Sequence, residues 1–174
     1  PREREEELVL ELLDAVGKPR ARVTVLTNPR LRGYDHAVAA VRGELAERYG
    51  FWDLWLFFPD ADRASPGVMR SLEQDLATRG VALFCCPAEP EVEIYASVAL
   101  RAEVAGGWAV ARRHRQFKEQ VFAALLAKHG DANRAGGGRD LMIAESLRNL
   151  PLLLQLCPEL EALRLRVAAL LATK

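Results

Sequence analysis

The feature that most restricts the fold of this chain is the apolar run Asp53-Leu-Trp-Leu-Phe-Phe58. A strand with one face in water alternates apolar and polar residues, whereas every position of this run after Asp53 is apolar. Such runs are typical of central strands in parallel sheets, because helices cover both faces of those sheets. The run therefore predicts an α/β protein with a buried strand at 53–58.

Helical and strand-like patterns alternate on both sides of this run. In the first segment, Leu8, Leu12 and Val16 repeat at helical spacing, and a glycine and a proline then end the pattern. The predicted elements are a helix at 2–16, a strand at 22–27, a helix at 35–49, the strand at 53–58, a helix at 68–78 and a strand at 81–85. Strands and helices that alternate with short links imply a parallel sheet with right-handed crossovers.

From Glu91 onward the pattern becomes almost entirely helical. Helices are predicted at about 91–104, 112–129, 140–148 and 158–172, with a flexible glycine-rich loop at 133–138. We therefore expect one α/β domain over residues 1–174. Its sheet core extends to about residue 105, and a helical C-terminal extension begins at about residue 106.

Composition excludes several classes of protein. Lys plus Arg (24) equal Asp plus Glu (24), so no global field attracts nucleic acid or an anionic membrane. No apolar run approaches the roughly 18 residues that span a bilayer, and no signal-peptide pattern opens the sequence. Cys85, Cys86 and Cys157 match neither a disulfide framework nor a zinc motif. We expect a cytoplasmic protein with core thiols and no membrane partner.

The charges are balanced overall but separated along the chain. Residues 44–93 contain ten acidic residues against four arginines, and residues 101–139 contain eight basic residues against three acidic ones. The net charges of these two segments are therefore −6 and +5. This separation is typical of a cation site beside an anion-binding surface, and equally of two solvated faces of opposite sign.

Asp60 and Asp62 directly follow the predicted central strand. In open parallel sheets, ligands bind beyond the carboxyl ends of the strands. Two carboxylates in one crevice repel each other, and a divalent cation such as Mg²⁺ or Mn²⁺ relieves that repulsion. The alternative is a loop that caps the next helix, because Asp and Ser are favoured there.

A second acidic pair, Glu91 and Glu93, follows the third predicted strand. Neighbouring parallel strands end at the same edge of a sheet, so this pair is expected near Asp60 and Asp62. Acids in a first helical turn also stabilise a helix through its dipole, which is an adequate explanation for either glutamate alone. Two acidic pairs at one edge favour the metal site.

These residues resemble the toprim fold, the catalytic module of topoisomerases, primases and the overcoming-lysogenization-defect nucleases. The resemblance lies in Asp60-Ala-Asp62 after a central strand and in Pro90-Glu-Val-Glu93 before a helix. Small toprim-like proteins of prokaryotic genomes have a Glu-Ile-Glu-Ala-Trp-like segment here, and this chain has Glu91-Val-Glu93-Ile-Tyr95-Ala96. Their helical tails are similar to 138–141 and 157–160.

The resemblance implies phosphodiester chemistry with one or two Mg²⁺ (or Mn²⁺) ions on nucleic acid, DNA rather than RNA, as in a nuclease of defence or mobile-element biology. Asp60, Asp62 and Glu93 would be metal ligands, and Glu91 a base or second-metal ligand. The usual toprim glutamate ends a first strand. This sequence opens on a helix, so such a strand would precede residue 1, and no glutamate here is assigned that role.

A basic cluster, Arg112, Arg113, Arg115 and Lys118, is the candidate nucleic-acid-binding surface. Such side chains can hold phosphates, and Trp108 just before them could stack on a base. Arginines at a helix start oppose the helix dipole, which favours an anionic partner. The alternative is a solvated helix face.

Two other functions stay open. A non-catalytic toprim-like module, acting with a protein partner or as a homo-oligomer, would expose the apolar stripe of the last helices. That stripe comprises Leu152, Leu153, Leu156, Leu160, Leu163, Val167 and Leu170. A phosphotransferase of haloacid-dehalogenase type would use Asp60 as a nucleophile. The nuclease instead requires Asp60, Asp62 and Glu93 within about 4–8 Å of one another.

Overall fold

The computed structural model of the chain describes residues 4–26 and 33–173, and a two-stranded parallel sheet lies at its centre. Strand β1 (Trp55–Phe57) pairs with β2 (Leu83–Cys85), so that Trp55 lies opposite Leu83 and Phe57 opposite Cys85. An isolated parallel bridge between Asp60 and Ala88 continues the pairing beyond both strands. The predicted α/β class and parallel pairing are confirmed.

Side chains of the two strands alternate between two apolar layers. Trp55 and Phe57 pack into one layer, together with Leu83 and Cys85. Their neighbours Leu54, Leu56, Phe58, Phe84 and Cys86 pack into the other layer. This period of two is the geometry of a strand covered on both faces. It explains why the run at 53–58 has no polar position.

The first layer consists of the helices between residues 34 and 77. Helix α2 (Tyr34–Ala40) leads through a π-helical turn (Val41–Leu45) into α3 (Ala46–Tyr49), with a kink at Gly43, whose backbone is not helical. Helix α4 spans Pro66–Ala77. Leu72 and Leu76 of α4 are fully buried against the sheet layer. Gly80, at a φ of 76°, follows α4 in the left-handed conformation that glycine adopts without strain. The predicted helices at 35–49 and 68–78 are confirmed.

The second layer contains α1 (Arg4–Ala15) and all helices after β2. Those helices are α5 (Glu93–Ser97) with a 3-10 segment (Val98–Glu103), α6 (Trp108–Ala111), a π-helical turn (Lys118–Phe122) with α7 (Ala123–His129), a 3-10 turn (Ala135–Gly138), α8 (Arg139–Leu147), α9 (Leu150–Leu156) and α10 (Pro158–Ala172). Among the residues with described positions, no helix is both long and apolar enough to cross a bilayer.

Two predicted elements differ from the structure. Residues 22–26 belong to neither a helix nor a strand, so the predicted strand at 22–27 is wrong for its described part, and Thr27 lies outside the described residues. The predicted helix at 112–129 starts later, because residues 112–116 form turns between α6 and the helical run that leads into α7. Local β-branched composition favours a strand, but only hydrogen bonding to a neighbour makes one.

Helix α9 was not predicted, because Pro151 interrupts the apolar pattern. In the structure this proline lies in the first turn, where its missing N–H removes no helical hydrogen bond. The Asn149 side chain caps the helix by accepting a hydrogen bond from the backbone N–H of Leu152 at 3.2 Å.

The apolar stripe of the last helices faces the core of the protein itself. Leu153, Leu160, Leu163 and Val167 are all less than 4% exposed, whereas Leu165 on the opposite side of α10 is 54% exposed. The stripe is therefore not the free partner surface that a binding module would expose.

This burial predicts different effects for two leucines of the same helix. Replacing Leu160 by Ala leaves a cavity in the core and should lower the free energy of unfolding by about 2–5 kcal/mol. Replacing the exposed Leu165 should change it by less than about 0.5 kcal/mol. Urea unfolding of both variants measures the difference, and equal effects would contradict the burial of the stripe.

Candidate functional site

Backbone pairing beyond the strands brings the two acidic segments together. The N–H of Ala61 donates to the carbonyls of Ala88 and Pro90, at 2.9 and 3.2 Å. The Asp60 carboxylate, through Oδ1, accepts a hydrogen bond from the N–H of Val92 at 3.0 Å. Asp60 is thus joined to the backbone between Glu91 and Glu93. We name the side chains of Asp60, Asp62, Glu91 and Glu93 the acidic edge.

The carboxylates of the acidic edge influence one another. Burial raises the pKa of Asp60, and the negative charges of Glu93 and Asp62 raise it further, against the opposing hydrogen bond from Val92. Burial also raises the pKa of Glu91, to which the charges of Glu119, Asp60 and Glu93 contribute. For both groups burial is the largest cause, so ionisation costs free energy mainly because the carboxylates lose water, and the neighbouring carboxylates add to that cost.

Glu93 is the most buried member of the acidic edge, with 6% of its surface exposed. Its Oε1 contacts two cations, the Lys118 Nζ at 3.3 Å and the Arg139 Nη1 at 3.4 Å. Next to it, Oε2 of Glu91 accepts a hydrogen bond from the backbone N–H of Lys118 at 2.6 Å. A buried carboxylate requires such partners, because an unpaired charge in the interior is strongly disfavoured.

Arg139 is the site residue that sequence reasoning missed. It follows Gly136, Gly137 and Gly138, which have φ values of 70°, 69° and 82° and form a tight turn within the predicted loop at 133–138. A Cβ at Gly138 would lie 2.5 Å from the backbone nitrogen of Asp131, so only glycine fits. The three consecutive glycines before a basic residue were the available signal for this position.

Asp62 lies at the exposed side of the acidic edge. Its side chain is 42% exposed, and its Oδ2 lies 4.0 Å from the Nε of Arg63. Asp62 interacts with Asp60 through its charge, and at this distance from Arg63 its carboxylate is only weakly paired.

The donor chemistry of the acidic edge fits a hard divalent cation, because its oxygens are carboxylates whose mutual repulsion a cation would relieve. Within the described ranges 4–26 and 33–173, however, no group of three His, Cys, Asp or Glu side chains is placed to hold a metal ion. Asp60, Asp62 and Glu93 are therefore not placed to coordinate one ion together in this conformation.

Of the four predicted nucleic-acid contacts, Arg112 lies within the fold. Its guanidinium forms two hydrogen bonds with the Glu159 carboxylate, at 2.7 and 2.8 Å. It also donates to the Glu89 carbonyl at 2.6 Å and to the Glu89 carboxylate at 3.1 Å. With a side chain 12% exposed, Arg112 joins α10 to the segment before Glu91.

The other three basic residues have different surroundings. Arg113 and Arg115 are exposed on the turns that precede the helical run into α7, so they lie outside the helix that was predicted to contain them. Lys118 contacts the acidic edge directly. The Trp108 indole donates to the Leu156 carbonyl at 3.2 Å, which ties it to α9.

The cysteines are buried thiols, as the sequence indicates. All three are free, and burial raises the pKa of Cys85 and of Cys86 to about 12. A raised pKa favours the protonated thiol, which is a poor nucleophile.

The site has to be interpreted from its own residues. No protein-family model matches the sequence, and searches of the curated proteins and of the solved structures found no match.

The contacts of Arg112 predict a structural role that its neighbour does not share. Replacing Arg112 by Met leaves the Glu159 carboxylate unpaired in a mostly buried place, so the free energy of unfolding should fall by about 3 kcal/mol. Replacing the exposed Arg113 by Met should change it by less than about 0.5 kcal/mol. Urea unfolding of the pair tests this, and an unchanged Arg112→Met variant would contradict it.

The raised pKa of Asp60 predicts that ionisation of this carboxyl lowers the free energy of unfolding in a pH-dependent way. The folded chain binds the Asp60 proton more tightly than the unfolded chain, where the pKa is near 3.8. Ionisation therefore destabilises the fold increasingly as the pH rises above that value, until the folded pKa is passed. Asp60→Asn keeps an acceptor for the Val92 N–H without the charge.

The free energy of unfolding of the wild type minus that of Asp60→Asn should therefore decrease as the pH rises above about 3.8, and it should become constant once the folded pKa is passed. Urea unfolding at several pH values measures this difference. A constant or rising difference would show that neither burial nor the neighbouring carboxylates disfavour ionisation of Asp60.

Proposed function

We propose that this chain carries out divalent-metal-dependent phosphodiester chemistry on nucleic acid, as a cytoplasmic toprim-like nuclease that acts on DNA. The observation that supports it best is the position of Asp60 beyond the carboxyl ends of β1 and β2, where its carboxylate accepts a hydrogen bond from the backbone between Glu91 and Glu93. Asp60 also interacts electrostatically with Glu93 and Asp62. This is the place where open parallel sheets bind ligands.

Within this proposal, Asp60, Asp62 and Glu93 hold Mg²⁺ or Mn²⁺. The ion would neutralise charge on the scissile phosphate and make a bound water more acidic. Glu91 is the proton acceptor or a second-metal ligand, and burial raises the pKa of its carboxyl. Its hydrogen bond from the Lys118 N–H fixes the orientation of the carboxylate.

Nucleic acid would approach over the turns that carry Arg113 and Arg115. Both residues are exposed, and the same segment continues directly to Lys118 at the acidic edge. Exposed arginines can bind backbone phosphates without reading sequence. Arg112 is not part of this surface, because Glu159 and Glu89 already bind its guanidinium.

One observation favours the second candidate, a non-catalytic toprim-like module. Lys118 and Arg139 already supply positive charge to Glu93, so this carboxylate is balanced without a metal. Against it, the apolar stripe that such a module would expose is buried.

Cleavage of plasmid and single-stranded DNA with Mg²⁺ and Mn²⁺ tests the proposal. Asp60→Asn and Glu93→Gln should each lower the cleavage rate at least about 100-fold, since loss of a ligand should weaken the site more than loss of an outer partner. Glu145→Gln removes an exposed carboxylate from α8 and is the matched control, which should cleave like the wild type.

Calorimetry with Mn²⁺ separates the two candidate functions. Metal uptake that Asp60→Asn abolishes would support the nuclease, and thermal unfolding would confirm that the variant is folded. A folded wild type with neither Mn²⁺ uptake nor cleavage would reject the nuclease and leave the binding module.

A further inference from the structure

The two cations beside Glu93 are held in different ways. Arg139 has a side chain 26% exposed, and its guanidinium carbon lies 5.5 Å from the centre of the Phe122 ring. Its Nε is buried without a hydrogen-bond partner among the described residues, and the turn at Gly138 fixes its backbone. Arg139 is therefore a fixed partner of Glu93.

Lys118 is held much less firmly at its side chain. Its ammonium lies 3.3 Å from Glu93 Oε1, and 44% of the side chain is exposed. Four rotatable carbon–carbon bonds connect the ammonium to the backbone, so it can leave Glu93 at little cost. The backbone of Lys118 is fixed separately by its hydrogen bond to Glu91. Movement of the ammonium does not require movement of the helix.

Lys118 follows the exposed arginines in the sequence and contacts the acidic edge with its side chain. Its segment carries the exposed Arg113 and Arg115 on one side, and its side chain reaches the acidic edge on the other. A phosphate bound by this basic segment would attract the Lys118 ammonium away from Glu93. A divalent cation at the acidic edge would repel it in the same direction.

We propose that Lys118 is a displaceable counter-ion of Glu93. It competes with the divalent cation for this carboxylate and leaves it when a nucleic-acid phosphate binds, whereas Arg139 remains and positions Glu93. This inference rests on the proposed nuclease function. Because one side chain serves both ligands, the binding of metal and the binding of phosphate strengthen each other.

Mn²⁺ affinity, measured by calorimetry, tests the competition without any turnover. Lys118→Met removes the competing ammonium and keeps the backbone hydrogen bond to Glu91, so Mn²⁺ should bind about tenfold more tightly than to the wild type. Lys118→Arg keeps a cation and should bind like the wild type. Lys128→Met removes an exposed positive charge beside Glu103 and is the control for net charge.

A short phosphorothioate oligothymidylate, which resists cleavage, serves as the phosphate probe. It should increase the Mn²⁺ affinity of the wild type several-fold and leave that of Lys118→Met unchanged, because only the wild type has an ammonium to displace. A purely structural Lys118 would show neither effect. Circular dichroism confirms that each variant is folded, and Lys118→Gln repeats the test if Lys118→Met is not.

The outcomes separate the counter-ion role of Lys118 from the proposed nuclease function. Equal Mn²⁺ affinity of the wild type, Lys118→Met and Lys128→Met would overturn the counter-ion role, and the nuclease proposal would stand if Asp60→Asn abolishes uptake. Equal tightening by Lys118→Met and Lys128→Met would also overturn it, as a general charge effect. Absence of uptake by both the wild type and Lys118→Met would reject the metal site and the inference together.

Discussion

The parallel pairing of β1 with β2 between two apolar layers is the constraint on which the rest of the structure depends. Only three residues of each strand are paired, yet their side chains alternate into both layers and anchor the helices on either face. Parallel pairing makes both strands end at one edge. The segments that follow them, including Asp60 and Glu93, therefore share that edge.

Charged side chains connect the two helical layers around this small sheet. Glu73 of α4 accepts a hydrogen bond from the Cys85 N–H at 2.7 Å, on the side of β2 that faces away from β1. The same carboxylate binds Arg166 of α10 at 3.0 and 2.8 Å, and this guanidinium lies 4.2 Å from the centre of the Phe84 ring. The Glu73 carboxylate thus accepts a hydrogen bond from a free backbone N–H of the edge strand and also links α4 to α10, which belong to opposite layers.

At the acidic edge, carboxylates are likewise paired with basic side chains and backbone N–H groups, but the carboxylates outnumber the cations that contact them. Arg139 and Lys118 contact Glu93, whereas Asp60 and Glu91 each accept a backbone hydrogen bond and keep raised pKa values. Negative charge that is concentrated but incompletely balanced is the property that a cation-binding site needs. The proposed chemistry and the proposed displacement of Lys118 both derive from this imbalance.

Sequence periodicity alone determined the elements whose pattern is local. The unbroken apolar run predicted the buried strand, and helical spacing predicted most helices. Because parallel strands end together, the pattern also predicted that Asp60 lies close to the segment of Glu91 and Glu93. Tertiary structure decided which charges meet. Glu93 and Arg139 are 46 residues apart in the sequence. Arg112 binds Glu159, although the basic cluster that contains Arg112 has the composition of a phosphate-binding site. Local patterns carry no information on such pairs, because the packing of distant helices selects them.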